Sequence, residues 1–138
     1  MNAQEFASTH QQQFLDELIA LLKMPSISTM SEHTADLRQA AEWLVANLSG
    51  FGMNARLYET DGHPIVYAEW LDAGPEATTV LVYGHYDVQP VDPIDLWESP
   101  PFEPTIRDGK LYARGSADDK GQVFIHVKAA QSILETAG

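Results

Sequence analysis

Apolar residues with helical spacing occupy the first third of the chain. Between residues 5 and 23 they recur every three or four positions, which predicts one amphipathic helix that ends before Pro25. A second helical face follows, with Thr29 and Glu32 spaced as a capping box at its start and Gly50 as its stop. The apolar positions are Phe14, Leu15, Leu18, Ile19 and Leu22 in the first helix and Leu37, Ala41, Leu44, Val45 and Leu48 in the second.

Two segments with strand-like composition are interrupted by tight-turn dipeptides. In MNARLYETDGHPIVYAEWL, the dipeptide Asp61-Gly62 separates two apolar stretches and favours a hairpin. In TIRDGKLYA, Asp108-Gly109 has the same position between two shorter stretches. The sequence therefore predicts two antiparallel hairpins.

The segment TTVLVYG, residues 78–84, is apolar and β-branched on both faces, which predicts an interior strand covered by helices. Val80 and Val82 are expected to be buried on one face of that strand and Leu81 on the other. A long, proline-rich loop follows, and the apolar spacing of residues 122–136 then predicts a last helix. Helices followed by short strands and a strand–loop–helix unit predict an α/β layered domain with few strands.

Composition narrows the functional classes. The chain has 138 residues and 44% apolar content, which is enough for one domain with a real core. Its 8 Lys+Arg and 20 Asp+Glu give a net charge of −12, which repels nucleic-acid phosphates and anionic lipids and suits the collection of cations. The absence of cysteine excludes disulfides, thiolate zinc ligands and cysteine nucleophiles. With no signal-peptide pattern and no membrane-length apolar run, we expect a cytoplasmic protein that binds neither nucleic acid nor membrane.

A histidine and an aspartate follow the apolar run LVYG. If the strand continues through His85, the side chains of His85 and Asp87 point to the same side. An imidazole that binds a metal through one nitrogen usually donates its other N–H to a carboxylate, and open α/β sheets hold ligands beyond the carboxyl ends of their strands. The pair is therefore a candidate metal site. A loop histidine hydrogen-bonded to a nearby carboxylate has the same spacing and is the alternative.

An acidic pair, Asp118 and Asp119, lies in YARGSADDKG at the start of the last predicted helix. Adjacent aspartates at this position are explained by capping of the helix and by its dipole. The turn formers and cations around them, such as Gly115 and Lys120, also fit a backbone folded around a carboxylate. From these residues alone both interpretations stay open.

Together, GHYDVQP and LWESPPFEPTIRDGKLYARGSADDKG resemble the dizinc aminoacylase and carboxypeptidase family. This family includes succinyl-diaminopimelate desuccinylase, acetylornithine deacetylase, glutamate carboxypeptidase and the carnosine dipeptidases. The long form of the match, with DVQP, W-x-S-x-P-F and RDGKLY, is most similar to the carnosinase-type branch, and KMPSIS fits more loosely. The resemblance implies a layered α/β/α zinc-peptidase catalytic domain, of which residues 1–138 are the N-terminal portion with a partial mixed sheet.

The resemblance also implies roles for individual residues. By position, His85 ligates one zinc ion, Asp87 is the catalytic-site carboxylate that orients the His85 ring, and Asp118 bridges two zinc ions. The peptide bond between Asp118 and Asp119 is expected to be cis. The implied reaction is hydrolysis of a peptide or related amide bond by a water that two zinc ions activate, with manganese or cobalt as alternative metals.

The family pattern is incomplete in this sequence. The family also needs a Glu-Glu pair, which supplies a general base and a ligand, then another acidic ligand and a late histidine, but no adjacent glutamates occur here. By the same resemblance, we expect the lid domain that commonly carries the homodimer interface, and the C-terminal half, to lie outside residues 1–138. We therefore expect the N-terminal part of a metal-dependent dipeptidase or carboxypeptidase that acts on small peptides and is inactive by itself. The alternatives are an N-acyl amino acid deacylase of the same family and a non-catalytic α/β module that binds metal or a partner.

Overall fold

The computed structural model describes residues 1–137, which contain four α-helices and two β-hairpins. The helices are α1 (Ala3–Thr9), α2 (Gln11–Leu22), α3 (Thr34–Gly50) and α4 (Lys120–Leu134). The strands are β1 (Asn54–Tyr58), β2 (Ile65–Glu69), β3 (Thr105–Arg107) and β4 (Lys110–Tyr112). The predicted α/β class is confirmed. None of the helices described in residues 1–137 combines the length and the apolar content needed to cross a bilayer.

The first predicted helix is interrupted at His10. Instead of one helix over residues 5–23, α1 and α2 meet at this residue, whose φ is −100° and ψ is 12°. Side chains at the end of α1 bond back onto its carbonyl groups. Thr9 Oγ1 donates to the Glu5 carbonyl at 2.8 Å, and the His10 ring Nδ1 lies 2.9 Å from the Phe6 carbonyl oxygen. Such local bonds compete with a regular helix and accompany the break.

The predicted capping box at Thr29 and Glu32 is wrong. A short 3-10 turn precedes α3, which begins at Thr34 without a side-chain cap. A capping box forms instead at the start of α1, where the Asn2 and Glu5 side chains each accept the other residue's backbone N–H at 2.9 Å. The apolar face of α3 is confirmed, and its buried residues are Leu37, Ala40, Ala41 and Leu44.

Both predicted hairpins are confirmed. Strands β1 and β2 pair antiparallel through five residue pairs, and β3 and β4 pair through three. At the second turn, Asp108 and Gly109 have φ values of 49° and 73°, the left-handed conformation that a two-residue hairpin turn requires. The hairpins form two separate sheets, so the expected partial mixed sheet is wrong for residues 1–137. The one parallel pairing in this range is an isolated bridge between Ile27 and Val88.

The hydrophobic core lies where α2, α3 and α4 meet. Its buried side chains are Leu21, Ala40, Leu44, Phe51, Phe124 and Val127. The Trp43 ring packs beside the Phe124 ring with 6.0 Å between their centroids. The β1–β2 hairpin packs on α3, while α1 and α2 pack on α4. This arrangement places the N-terminus of α4, with its acidic pair, beside the end of α2.

The predicted interior strand at residues 78–84 is wrong. The segment has no regular secondary structure, and Val80, Leu81 and Val82 are 78%, 89% and 55% exposed. An interior strand needs a hydrogen-bonded neighbour on each side. Within residues 1–137 no strand pairs with this segment, and residues 82–84 line an apolar cleft together with residues of β2. The apolar pattern is present, but the partners that would make it a strand are not among the described residues.

An ion pair between Glu17 and Lys128 holds α2 against α4. The Lys128 ammonium, which is almost fully buried, pairs with the Glu17 carboxylate. It also donates to Asn47 Oδ1 and Gln131 Oε1, each at 2.9 Å. Burial by itself raises the pKa of Glu17, but hydrogen bonds from Lys128 and two neighbouring amides outweigh it and leave that pKa lowered.

Replacing Glu17 with glutamine should lower the free energy of unfolding by about 1–3 kcal/mol at neutral pH, because Lys128 loses the counter-charge of a buried ammonium. Since the pKa of Glu17 is lowered in the folded chain, its contribution is complete above its ordinary value of 4.5 and is lost as the pH falls through the folded pKa. Urea unfolding at neutral and acidic pH measures both effects. The exposed Glu32→Gln is the matched control, and an equal loss in both variants would contradict this assignment.

Candidate metal centre

The three residues proposed for the metal site lie together. His85 Nδ1 is 2.9 Å from Asp87 Oδ1, a normal hydrogen-bond length, as the spacing of the two residues predicts. On the other side of the ring, His85 Nε2 is 3.2 Å from Asp118 Oδ1. The side chains of His85, Asp87 and Asp118 therefore converge as expected, although His85 is not on a strand. The roles of these residues at a metal stay predictions.

Asp87 sets the tautomer of the His85 ring. An ionised carboxylate only accepts hydrogen bonds, so Nδ1 carries the proton and donates it to Asp87. Nε2 then presents its electron pair to the Asp118 carboxylate, which is itself an electron-pair donor. Two such atoms 3.2 Å apart need a proton or a cation between them. The donor set is therefore suited to a metal ion.

The separation of the two donor atoms fits zinc. Zinc binds histidine nitrogen at about 2.0–2.1 Å and carboxylate oxygen at about 2.0–2.2 Å, so two ligands of a tetrahedral ion lie roughly 3.3–3.5 Å apart. The observed 3.2 Å between His85 Nε2 and Asp118 Oδ1 is close to that range. Asp118 is 75% exposed, so its carboxylate is accessible. Within residues 1–137 no group of three or more His, Asp or Glu side chains could hold a metal, so these residues supply part of a ligand set.

The charge around His85 favours a cation. Burial by itself lowers the pKa of His85, but the hydrogen bonds and charge of Asp87, together with the charge of Asp119, outweigh it and leave that pKa raised. A ring oriented in this way by a carboxylate is a more basic ligand for a metal ion. The chain's net charge of −12 adds a negative electrostatic field, which also attracts cations.

The Asp119 side chain does not cap α4 and instead binds the backbone of His85. Its Oδ2 accepts a hydrogen bond from the backbone N–H of His85 at 3.1 Å, and no side chain caps the first turn of α4. The capping interpretation is therefore wrong for Asp119. The peptide bond between Asp118 and Asp119 is cis, as expected. Asp118 faces the His85 ring, while Asp119 holds the His85 backbone.

Gly84 permits the close approach of this backbone to α4. A Cβ atom at Gly84 would lie 2.1 Å from Val123 Cγ2 and 2.8 Å from Asp119 Oδ2. Neither contact is tolerable, so a side chain at this position would push the two segments apart. The requirement for glycine cannot be recognised from the sequence, because Val123 and Asp119 belong to a distant element.

Lys120 attaches the acidic pair to the end of α2. Its side chain is fully buried, and Nζ donates to the carbonyl oxygens of Leu21 at 3.1 Å and Met24 at 2.7 Å. Leu21 lies in the last turn of α2 and Met24 just beyond it, and their carbonyl oxygens also accept the backbone N–H groups of Met24 at 3.3 Å and Ser26 at 2.9 Å, respectively. Burial lowers the pKa of Lys120 to about 8, against the opposing charge of Asp87.

Ser28 is a site residue that the sequence pattern does not reveal. Its Oγ donates to Asp87 Oδ2 at 2.5 Å, across 59 positions of sequence. Ser28 is the last residue of KMPSIS, and the looser similarity of that segment to the family is the one sequence signal at this position. Two histidines outside the predicted set lie in the same region. His63 Nε2 is 2.8 Å from the Ser28 carbonyl oxygen, and the exposed His126 lines the cleft beside His85.

The sequence has recognisable relatives. Residues 81–138 match Peptidase family M20/M25/M40. The chain is 33% identical over 131 residues to a cysteinylglycine-S-conjugate dipeptidase from Corynebacterium striatum, covering 94% of this chain. It is 38% identical over 119 residues to a succinyl-diaminopimelate desuccinylase from Herminiimonas arsenicoxydans, covering 86% of this chain. The chain spans 28% of the length of each of these two proteins.

Solved structures share the fold. An M20 family metallo-carboxypeptidase from Sulfolobus solfataricus is 40% identical with a TM-score of 0.82, over 90% of this chain and 28% of that one. Human carnosine dipeptidase 1 is 28% identical with a TM-score of 0.84, over 96% of this chain and 30% of that one. A di-peptidase from Saccharomyces cerevisiae, at 23% identity and a TM-score of 0.87 over 98% and 31%, supports the fold alone. These matches confirm the family resemblance and the fold class.

Replacing Gly84 with alanine should lower the free energy of unfolding by about 1–3 kcal/mol, because the added methyl group forces Val123 or Asp119 to move. Chemical denaturation measures the change. Gly50→Ala is the matched control, since a Cβ there meets no atom within 4 Å, and alanine at the end of α3 should be neutral or slightly stabilising. Similar losses in both variants would show that close packing at Gly84 is not the cause.

Proposed function

We propose that the natural protein containing this chain is a metal-dependent dipeptidase or carboxypeptidase. The support is that the chain shares sequence motifs and fold with the M20 peptidases. Its reaction is hydrolysis of a peptide bond in a small substrate. The observation that supports this function best is the pair His85 Nε2 and Asp118 Oδ1, two electron-pair donors that face each other at 3.2 Å.

Each residue of the centre has a defined part in this proposal. His85 would hold one metal ion through Nε2, and Asp118 would hold that ion and a second one. When bound, the two zinc ions supply Lewis acidity at the scissile carbonyl group and make a water more acidic. Asp87 keeps the proton on Nδ1 of His85, so that Nε2 stays available as a ligand. Asp119 fixes the backbone from which the His85 side chain projects.

The described residues form only part of the proposed centre. A catalytic zinc ion commonly has three protein ligands, and a general base contributes about 10²–10⁴-fold to the rate. We propose that the remaining ligands, the base glutamate, a lid domain and a homodimer contact come from residues outside this sequence. The support for this part is the family resemblance together with the 28% of each relative's length that the chain spans.

The desuccinylase among the relatives favours a second candidate, an N-acyl amino acid deacylase. The same residues would serve, because an amide bond is hydrolysed in either case. A panel of dipeptides and N-acyl amino acids, assayed with the natural protein in full, separates the two candidates. Preference for dipeptides supports the first, and preference for acyl amino acids supports the second.

In the natural protein, Asp118→Ala should abolish metal-dependent hydrolysis, because the variant lacks the carboxylate proposed to hold both ions. Asp87→Ala should reduce activity about 10–100-fold, because His85 loses the partner that orients its ring. Release of free amino acids from a dipeptide panel measures both effects. Asp72→Ala, in an exposed turn, is the matched control and should keep full activity. Undiminished turnover in Asp118→Ala would refute the assigned role.

The purified 138-residue chain should hydrolyse no dipeptide, even with added zinc, manganese or cobalt. Its residues would leave each metal ion short of ligands, and no glutamate matches the family's general base. The assay is the same release of free amino acids, compared with Asp118→Ala. Metal-dependent turnover that this substitution removes would overturn the prediction and show that another residue or a second chain completes the centre.

A further inference from the structure

The Asp87 carboxylate is held from two sides. Its Oδ1 accepts the Nδ1–H of His85 at 2.9 Å, and its Oδ2 accepts the Ser28 hydroxyl at 2.5 Å. The terminal torsion of an aspartate is broad, so one hydrogen bond leaves the carboxylate free to turn. Two partners on different oxygens fix its plane. The orientation of the His85 ring therefore depends on a carboxylate that Ser28 orients.

Ser28 is itself held in place by its neighbours. The Ser26 carbonyl accepts the backbone N–H of Val88 at 2.9 Å, and the buried Ser26 hydroxyl donates to the Tyr86 carbonyl at 2.6 Å. Ile27 forms a parallel bridge with Val88. The backbone that carries Ser28 is thus tied on both sides of Asp87. Its hydroxyl is presented to the carboxylate by ordered structure.

The same segment contacts the other half of the centre. Lys120, which follows the acidic pair, donates to the carbonyl groups of Leu21 and Met24 just before this segment. His63 Nε2 donates to the Ser28 carbonyl at 2.8 Å. Residues 24–28, which follow α2, therefore contact Lys120 next to the acidic pair and Asp87 next to His85.

From these contacts we propose that Ser28 is a positioning residue of the metal centre. By occupying Asp87 Oδ2, its hydroxyl keeps Oδ1 on His85 Nδ1 and holds the imidazole ring in the orientation that directs Nε2 to the metal. Ser28 acts through Asp87 and contacts no ligand atom itself. The inference rests on the proposed function, because it requires a metal ion at His85.

A role in folding alone would give a different result. In that case the loss of the hydroxyl would weaken the fold equally with and without metal, and the folded protein would bind zinc as before. Asp87 is 37% exposed, so water can replace the Ser28 hydroxyl as a hydrogen-bond partner. Water is mobile, however, and does not define the plane of the carboxylate. Zinc affinity measured on the folded protein, and its recovery in a variant that restores the hydroxyl, therefore distinguish the two roles.

The test compares the natural protein in full with Ser28→Ala and Ser28→Thr. Zinc affinity, measured by competition with a chromogenic chelator, should fall about 10–100-fold in Ser28→Ala. Ser28→Thr restores a hydroxyl and should recover most of that loss. The exposed Ser31→Ala should match the unsubstituted protein.

Several results would overturn the proposal. Unchanged zinc affinity in Ser28→Ala would do so. Equal losses in the alanine and threonine variants would also do so, because the hydroxyl would then not be the cause. If Ser28→Ala does not fold, Ser28→Gly takes its place, since it also lacks the hydroxyl and should cause a loss in the same direction.

The peptidase function and the positioning role of Ser28 can be refuted independently. An unsubstituted protein whose zinc affinity depends on Ser28, but which hydrolyses neither peptides nor acyl amino acids, would refute the peptidase assignment and leave the role of Ser28 intact. An unsubstituted protein that binds no zinc would overturn both.

Discussion

One buried ammonium group joins distant parts of this chain. Lys120 Nζ contacts the carbonyl oxygens of Leu21 and Met24, which lie 99 and 96 positions away in the sequence. An ammonium group loses much free energy on leaving water unless strong acceptors replace the solvent, so the start of α4 must stay against the end of α2. That meeting places the segment after α2 beside Asp87 and brings the acidic pair within reach of His85.

Elements set by neighbouring residues could be predicted from the sequence. The β3–β4 hairpin turns at Asp108-Gly109, Asp61-Gly62 lies in the loop 59–64 between β1 and β2, and α4 follows its apolar spacing, because turn formation and helical period are local properties. Elements that depend on other contacts could not. Residues 78–84 have the composition of a strand, but a strand forms only with hydrogen-bonded neighbours. The break at His10 is accompanied by side chains that bond to nearby carbonyls, which an apolar period does not detect.

The residues of the candidate centre also fall into two groups, those that the sequence indicates and those that only the packing reveals. His85 and Asp87 could be paired from their spacing, and Asp118 required the family resemblance because capping explained it equally well. Ser28 and Lys120 carry no local pattern that marks them, since their contacts join residues 59 and more positions apart. The sequence thus indicates which groups could bind a metal. The side chains that hold those groups in position become apparent only from the packing.

The uncovered segment at residues 78–84 has a consequence for the behaviour of the polypeptide in solution. It is a run of β-branched and apolar residues without a charge, and its backbone N–H and C=O groups have no strand beside them in residues 1–137. Such an edge is a template for intermolecular strand pairing. A chain that folds to this point and is left uncovered should self-associate as its concentration rises.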